Sequence, residues 1–376
     1  MPGTKNKSRS KPAGKHTKRL GILTGGGDCP GLNAAIRATV KTALNSGWRV
    51  YGIKGGFAGL LDPKKHIISL GPDDIKGIIH IGGTILGTTN RGNPFAFPVK
   101  VGDEWVEKDL SEKALAGVKE AGLDAVIAIG GDGSLRIAKQ FYDKGLPIVG
   151  IPKTIDNDLY GTHITFGFDT AVSTATDAID KLHSTAESHQ RVMVVEVMGR
   201  YAGWIALNAG VAGGADVILI PEIPFEMKYV VRKTDERYKT GSNFAIIITA
   251  EGATPKGEEQ RTVFKKVGQE VKLGGIGDYV AGEVERLSGH ESRSLVLGHL
   301  QRGGQPTTSD RLLATRFGSA AVRLANEGFF GQMVALDPPH IKSVPLEDAI
   351  SRTRSVPLTS DIIRAARDMG ISFGNE

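Results

Sequence analysis

Cysteine is nearly absent from this chain of 376 residues, because Cys29 is the only one. A single thiol excludes an internal disulfide and a structural zinc site built from cysteines. No run of 18 apolar residues occurs, and the N-terminal segment lacks the apolar core of a signal peptide. We therefore expect a cytoplasmic protein with no membrane partner.

Two common nucleotide-binding signatures are also missing. A glycine-rich stretch at residues 25–31 follows an apolar strand at residues 20–24, but Pro30 stands where the third glycine of G-x-G-x-x-G belongs. No Gly-Lys-Ser or Gly-Lys-Thr sequence follows a glycine loop, as a Walker loop requires. The sequence thus disfavours both a dinucleotide-dependent dehydrogenase and a P-loop NTPase.

Acidic residues are lacking at the N-terminus, where residues 1–19 carry seven lysines and arginines and no acid. The remaining residues carry 40 cations (47 − 7) against 41 acids, so the net charge of +6 belongs to this segment. Its polar composition predicts a disordered basic tail. A polyanion-binding arm is the alternative, but we do not expect a nucleic-acid partner for the neutral body.

Glycine, in contrast, is abundant, and it clusters at the ends of apolar runs. Apolar runs at residues 125–129 and 146–151 flank a helix-compatible stretch, which predicts a β-strand, helix, β-strand unit. Polar clusters follow both runs, at residues 130–134 and 152–158. Ligands bind at the carboxyl ends of such strands, so both clusters are candidate site loops.

These two clusters carry the residues that phosphoryl transfer needs. Glycines let backbone N–H groups approach a phosphate at a helix N-terminus. Asp132 would repel a bare phosphate but suits one that carries Mg²⁺. Asp156 and Asp158 lie one strand away, where an acid can accept the proton of an attacking hydroxyl.

Further strands are predicted at residues 192–197, 217–220, 245–249 and 295–298, each followed by a charged or glycine-bearing loop. This repetition is typical of a doubly wound α/β fold. Arginines near these strand ends would repel one another unless an anion binds at their rim. They are Arg191, Arg200, Arg293 and Arg302. Taken singly, Arg200 could pair with a surface acid, His299 could be a core histidine, and Glu222 could cap a helix.

Eight ordered motifs together make the sequence resemble the phosphofructokinase family: GGGDCPGLNAAIR, GGTILG, GGDGS, PKTIDND, SHQR, VMGRYAG, PEIPF and VLGHLQRGG. They extend from about residue 20 to about residue 320. The resemblance implies two Rossmann-like doubly wound domains with the active site in the cleft between them. We expect a nucleotide domain at 20–167 with 301–351 and a sugar-phosphate domain at 168–300 with 352–376.

The resemblance also implies a reaction, transfer of a phosphoryl group from ATP with Mg²⁺ to the 1-hydroxyl of fructose 6-phosphate. Asp156 matches the general base, Arg200 and Arg91 match groups that neutralise the phosphoryl charge, and Asp132 matches the metal site. The matched nucleotide site comprises Gly26, Gly27, Arg91, Gly131, Asp132, Gly133 and Ser134. The matched sugar-phosphate site comprises Thr154, Ile155, Asp156, Arg191, Met198, Gly199, Arg200, Glu222, Arg293, His299 and Arg302.

Two of those arginines, Arg191 and Arg293, match residues that reach a neighbouring subunit's site, which implies a homo-oligomer, a dimer or a tetramer.

Two other positions bear on the phosphoryl donor. Gly133 leaves room for a nucleotide, as in ATP-using members, whereas Lys153 is typical of pyrophosphate-using ones. Because exclusion is steric, we give Gly133 more weight and predict ATP. The alternatives are a pyrophosphate-dependent enzyme, an NAD or lipid kinase, and a non-enzymatic nucleotide-binding or polyanion-binding protein.

Overall fold

The computed structural model describes residues 17–264 and 272–376. Most of the predicted basic tail, residues 1–16, lies outside the described residues. The strands are β1 (Arg19–Thr24), β2 (Arg49–Ile53), β3 (Ile67–Leu70), β4 (Phe97–Val101), β5 (Glu104–Lys108), β6 (Ala125–Gly130), β7 (Ile148–Pro152), β8 (Val192–Val197), β9 (Val217–Leu219), β10 (Ala245–Ala250), β11 (Thr262–Phe264), β12 (Lys272–Leu273), β13 (Ser292–Val296), β14 (Gln332–Asp337) and β15 (His340–Pro345).

Helices alternate with these strands along most of the chain. They are α1 (Leu32–Asn45), α2 (Pro63–His66), α3 (Ser111–Glu120), α4 (Asp132–Asp143), α5 (Phe168–His189), α6 (Trp204–Ala212), α7 (Met227–Lys239), α8 (Ile276–Ser288), α9 (Thr308–Glu327), α10 (Leu346–Ala349) and α11 (Asp361–Asp368). Among the helices of the described ranges, none combines the length and the apolar character that crossing a membrane requires.

Two sheets organise the molecule. The larger has the order β15-β14-β7-β6-β1-β2-β3, and its five inner strands are parallel. The smaller has the order β13-β8-β10-β9 and is parallel throughout. Each strand of a parallel sheet needs a crossover, and helices supply it. The α/β class with two doubly wound sheets is therefore confirmed.

Strand β1 shows why its sequence is apolar without alternation. Its neighbouring residues Ile22 and Leu23 are both fully buried, but they point to opposite faces and enter different core clusters. Ile22 packs in the cluster that contains residues of α1 and α9, whereas Leu23 packs with residues of α3 and α4. Both faces of the sheet are covered, so apolar residues are needed at successive positions.

The chain passes between the sheets more than once. The larger sheet takes β1 to β3, β6 and β7, and then β14 and β15, while β8 to β10 and β13 build the smaller one; β4 and β5 form a separate two-stranded sheet. Near the C-terminus, Ser372 forms a parallel bridge with Val217 of β9. The exact domain limits stay a prediction.

The strand expected at residues 295–298 is wrong in its position. Strand β13 begins at Ser292 and ends at Val296, and a 3₁₀ helix follows at Gly298–Arg302. Gly298 has a φ of 48°, a left-handed conformation that ends an extended segment. Leu295 and Val296 are part-exposed because β13 is an edge strand.

Close packing of α1 against α9 gives the first testable prediction. A Cβ atom at Gly318 would lie 2.6 Å from the carbonyl oxygen of Ala35, so Gly318→Ala must push the helices apart. Overpacking costs about 1–3 kcal/mol, more than the gain of up to about 1 kcal/mol in helix propensity. We expect a lower free energy of unfolding in urea titrations.

Gly282 in α8 is the matched control, since a Cβ atom there meets nothing within 4 Å. Gly282→Ala should be neutral or stabilising. Equal effects of the two substitutions would contradict the packing account.

Candidate functional site

Three loops meet at the carboxyl ends of β1, β6 and β7. The amide of Gly25 donates to the carbonyl oxygen of Ile129 at 2.9 Å, which joins the first two loops. A Cβ atom at Gly25 would lie 2.5 Å from Ser134 Oγ, and one at Gly130 would lie 2.3 Å from Ser134 Cβ. Glycine is therefore required at both positions, because Ser134 fills the space between the loops.

A further loop, residues 82–94, lies against the first one. Its start is held by Asn33 of α1, whose amide nitrogen donates to the carbonyl oxygens of Ile81 and Gly82. Thr88 Oγ1 then donates to the carbonyl oxygen of Gly26 at 2.6 Å. Asn90 and its neighbours line the cleft between the two sheets.

Arg91 lies in this loop, but its side chain is exposed and is not among the residues that line the cleft. Its roles in catalysis and nucleotide binding stay predictions.

The glycine loop after β6 opens directly into helix α4. Gly131, Asp132, Gly133 and Ser134 all line the cleft, where the first amides of α4 have no intrahelical partner. Gly133 faces open space, since a Cβ atom there would meet nothing within 4 Å. This end of α4 is therefore suited to bind phosphate oxygens.

Asp132 begins α4 and is half-exposed in the cleft. Its Oδ2 accepts a hydrogen bond of 2.9 Å from Nε of Arg136. Within the described ranges, no group of three or more histidine, cysteine or acidic side chains is arranged to hold a metal ion. Magnesium that arrives with phosphates usually needs only one or two carboxylates, so Asp132 fits that use.

Lys153 lines the cleft, but its side chain is buried and does not extend into the open space. It is 4% exposed, and its ammonium donates to the carbonyl oxygen of Gly27. Burial is the main cause that lowers the pKa of Lys153. On the other side of Gly27, a Cβ atom would lie 2.4 Å from a guanidinium nitrogen of Arg302, which packs the first loop against this arginine.

The loop after β7 places two acids in the cleft. Burial raises the pKa of Asp156 to about 6, and the charge of Glu251 adds to the effect, while Arg302 and Arg200 oppose it. Burial and then the charge of Asp156 raise the pKa of Asp158 to about 7. Within the described part of the chain, Oδ1 of Asp156 is buried and has no hydrogen-bond partner. One carboxylate oxygen is thus available to a ligand.

Glu251, which follows β10, does not itself line the cleft, but its charge acts on the site and the sequence analysis did not single it out. Its charge acts on Asp156, and burial raises its own pKa to about 7. The amide of Gly199 donates to its carboxylate. The sequence could have indicated Glu251, because it follows a buried strand just as the acids selected as candidate site residues do.

Glu222 was expected at the sugar phosphate, and in the structure its carboxylate accepts hydrogen bonds from two backbone amides. It accepts hydrogen bonds from the amide of Gly203 at 3.1 Å and from that of Val356 at 2.8 Å. Gly203 immediately precedes α6, so Glu222 satisfies a backbone donor at the helix N-terminus, and it is not among the cleft-lining residues. These hydrogen bonds agree with the helix-cap alternative, and the role of Glu222 at the sugar phosphate stays a prediction.

The expectation that four arginines gather at one rim is also wrong. Arg200 and Arg302 follow the carboxyl ends of β8 and β13 and line the cleft. Arg191 immediately precedes β8, and Arg293 is the second residue of the parallel strand β13. Both therefore lie at the opposite end of the sheet, where each pairs with Glu291.

The remaining expected sugar-phosphate residues lie at various depths. Thr154 and Ile155 line the cleft. Met198 is buried after β8, and Gly199 has a φ of 127°. His299 is exposed on the 3₁₀ helix and does not line the cleft. Other cleft-lining residues that the sequence analysis missed include Asp28, Arg136, Tyr201, Arg352 and Thr353.

Comparisons with known proteins agree on one family. The phosphofructokinase family profile matches residues 19–325. The chain is 52% identical over 359 residues to an ATP-dependent 6-phosphofructokinase of Chloroflexus aurantiacus, which covers 96% of this chain and 98% of the relative. It is 50% identical over 342 residues, 90% of this chain and 96% of the relative, to a pyrophosphate–fructose 6-phosphate 1-phosphotransferase of Amycolatopsis methanolica.

A solved structure agrees as well. The phosphofructokinase of Saccharomyces cerevisiae matches with a TM-score of 0.78 and 30% identity, covering 95% of this chain. This chain spans 48% of that longer one.

The raised pKa of Asp158 predicts a pH-dependent gain in stability on Asp158→Asn. The folded carboxyl has a pKa of about 7, above the ordinary value of 3.8 in an unfolded chain, so the unmodified protein loses stability as pH rises through this window. The variant should gain roughly 2 kcal/mol more at pH 8 than at pH 5, measured by urea unfolding at both pH values.

Asp143→Asn is the control, because it removes a half-exposed carboxylate paired with Lys139 on α4. Its effect should be the same at both pH values. An equal effect of Asp158→Asn at pH 5 and pH 8 would contradict the burial of this charge.

Proposed function

The chain belongs to the phosphofructokinase family, and we propose that it transfers the terminal phosphoryl group of ATP to the 1-hydroxyl of fructose 6-phosphate. The product is fructose 1,6-bisphosphate, and we infer that the reaction takes place in the cytoplasm. The observation that carries the proposal is the position of Asp156, which lies half-buried in the cleft near acids and arginines and has one buried carboxylate oxygen without a hydrogen-bond partner among the described residues.

Asp156 has the properties of a general base in this reaction. With a pKa of about 6 it is mostly ionised at pH 7, yet it is a stronger base than an ordinary aspartate. A pKa closer to the working pH favours proton transfer. We infer that its free oxygen accepts the proton of the 1-hydroxyl as that oxygen attacks the phosphoryl group.

Arginines on either side of Asp156 would bind the sugar phosphate and offset charge on the migrating group. Arg200 and Arg302 line the same cleft as Asp156, and both lower its pKa. Preorganised cations in a site shielded from water stabilise developing negative charge more than they would in solution. Glu251, whose pKa the same two arginines lower, is suited to accept a hydrogen bond from a sugar hydroxyl.

The donor phosphates would lie on the opposite wall, at the N-terminus of α4. Gly26, Gly27 and the residues from Gly131 to Ser134 line this wall. Asp132 would hold the Mg²⁺ that arrives with ATP. That ion, when bound, withdraws electron density from the phosphoryl oxygens and neutralises their charge.

ATP is favoured as the donor by the space at Gly133. No atom lies within 4 Å of a Cβ at this position, which leaves room for the nucleotide beyond its terminal phosphate. Lys153 does not close that space, because its ammonium is buried against Gly27. Pyrophosphate remains the second candidate donor, since the name of the Amycolatopsis methanolica relative specifies it.

We further propose a homo-oligomer in which Arg191 and Arg293 reach the sugar phosphate of a neighbouring subunit. Both lie away from the cleft of their own chain, beside the edge strand β13. Leu295, Val296 and Leu300 expose apolar surface along this edge. Apolar surface on an unpaired edge strand supports pairing with a second copy.

Asp156→Ser tests the base. We expect kcat to fall by more than tenfold, and by about 10²- to 10⁴-fold if proton acceptance is its only role. The affinity for fructose 6-phosphate, measured by titration calorimetry, should change little. Near-normal turnover would remove Asp156 from this role.

Gly133→Asp tests the donor. The new carboxylate would occupy the open space and repel the nucleotide, so ATP turnover should be abolished. Gly133→Ala, which adds one uncharged carbon into space that is free, should keep ATP turnover within about tenfold. Unchanged ATP kinetics in Gly133→Asp would refute the steric account. Turnover of the unmodified protein with pyrophosphate and none with ATP would overturn the choice of donor.

A further inference from the structure

The cleft as a whole contains more acid than a phosphate chain tolerates unless cations also line it. Four carboxylates line the cleft, from Asp28, Asp132, Asp156 and Asp158. At least part of that charge would repel a polyphosphate, which is itself multiply negative. The sugar side has Arg200 and Arg302, whereas on the donor side Lys153 is buried against Gly27 and Arg91, the arginine expected at the nucleotide, does not line the cleft.

We propose that Arg136 and Arg352 are the donor's phosphate-binding pair. The pair would bind the polyphosphate chain of the donor, and the inference rests on the proposed function for the identity of that donor as ATP. Both side chains line the same cleft as Asp132 and Gly133.

Arg136 is fixed one turn into α4. Its Nε donates to Oδ2 of Asp132 at 2.9 Å, and Nη2 donates to the carbonyl oxygen of Ile350 at 2.8 Å. A guanidinium has five N–H groups in a rigid fork, so further donors stay available to an anion. Long side chains of a helix lean toward its N-terminus, which here is the phosphate-binding end.

Arg352 lies on the segment that follows α10. Its guanidinium stacks on the ring of Tyr160 at 4.0 Å. The next residue, Thr353, forms an antiparallel bridge with Leu159, and the amide of Arg354 donates to the carbonyl oxygen of Asp158 at 2.7 Å. The backbone beside Arg352 is thus attached to the loop that contains Asp156.

No carboxylate lies within 4 Å of the Arg352 guanidinium in the part of the chain that the structure describes. Its position is therefore fixed by stacking and by its neighbours' backbone contacts rather than by a counter-charge. A held cation with free donors, in a cleft that must accept a polyanion, is suited to bind a phosphate oxygen.

Arg352→Gln is the most direct variant, because it removes a charge without unmasking a partner carboxylate. We expect the Kd for MgATP, measured by titration calorimetry, to rise about tenfold, as loss of one hydrogen bond to a charged group would give. Arg352→Lys should lose less, and Arg136→Gln combined with Arg352→Gln should lose more. The Kd values for adenosine and for fructose 6-phosphate should stay within twofold of those of the unmodified protein.

Arg232→Gln is the matched control. Arg232 forms an i,i+4 pair with Glu236, as Arg136 does with Asp132, and the two arginine side chains are 55% and 54% exposed. Arg232 also faces a tyrosine ring, that of Tyr229 at 5.1 Å, but it lies on α7 and does not line the cleft. Its replacement should leave the Kd for MgATP unchanged.

A Kd for MgATP within twofold of the unmodified value in the double variant would overturn the proposal. So would an equal loss of affinity for fructose 6-phosphate, because that result would indicate a general electrostatic effect. The donor's identity is tested separately. If the unmodified protein used pyrophosphate and not ATP, the proposed function would fail, whereas the same variants titrated with pyrophosphate would still decide the role of the pair.

Discussion

The site depends on one partly buried carboxylate, that of Asp156, whose pKa is raised by a neighbouring acid and lowered by neighbouring arginines. Burial and the nearby Glu251 disfavour the ionised form of Asp156, while Arg200 and Arg302 favour it. The balance leaves its pKa at about 6, above an ordinary aspartate and below neutral pH. Such an arrangement costs folding free energy. A carboxylate with a raised pKa in a cleft therefore indicates a functional site.

Close contacts between the backbones of the site loops bring these charged residues near one another. A Cβ atom at Gly252 would lie 1.9 Å from the carbonyl oxygen of Arg200, so the loop after β10 touches the loop after β8 only because residue 252 is glycine. Glu251 is thereby brought beside Arg200. The same argument applies at Gly25 and Gly130, where glycine lets two loops close around Ser134. Glycine abundance in this chain therefore reflects contacts between site loops as well as turns.

The sequence predicted the parts of the site that are local. Apolar runs on both sides of α4 indicated a strand, helix, strand unit, and the unit placed Asp132 and Asp156 at one edge of the sheet, as observed. Once the chain leaves a strand, the spacing of residues no longer predicts which way a side chain points. Glu251 was overlooked for this reason, although it follows a buried strand as Glu222 does.

Contacts between distant segments were beyond prediction. The strand predicted at residues 192–197 already placed Arg191 before its strand, but nothing in the local pattern showed that Arg293 lies at the amino end of β13, because the beginning of that strand is not marked by an apolar run. Arg352 reaches the cleft only through the bridge between Thr353 and Leu159, residues far apart in the chain. The family resemblance supplied the overall fold, and tertiary packing decided which residues of the later segments face the ligand.

The most direct test of the central claim is a crystal structure of the protein with fructose 6-phosphate and a non-hydrolysable ATP analogue. The account predicts that the 1-hydroxyl oxygen lies about 2.6–3.2 Å from a carboxylate oxygen of Asp156. It also predicts that the hydroxyl faces the terminal phosphate of the analogue across the cleft. A sugar phosphate bound with its 1-hydroxyl directed to Asp158 or Glu251, and with Asp156 still unpartnered, would contradict it.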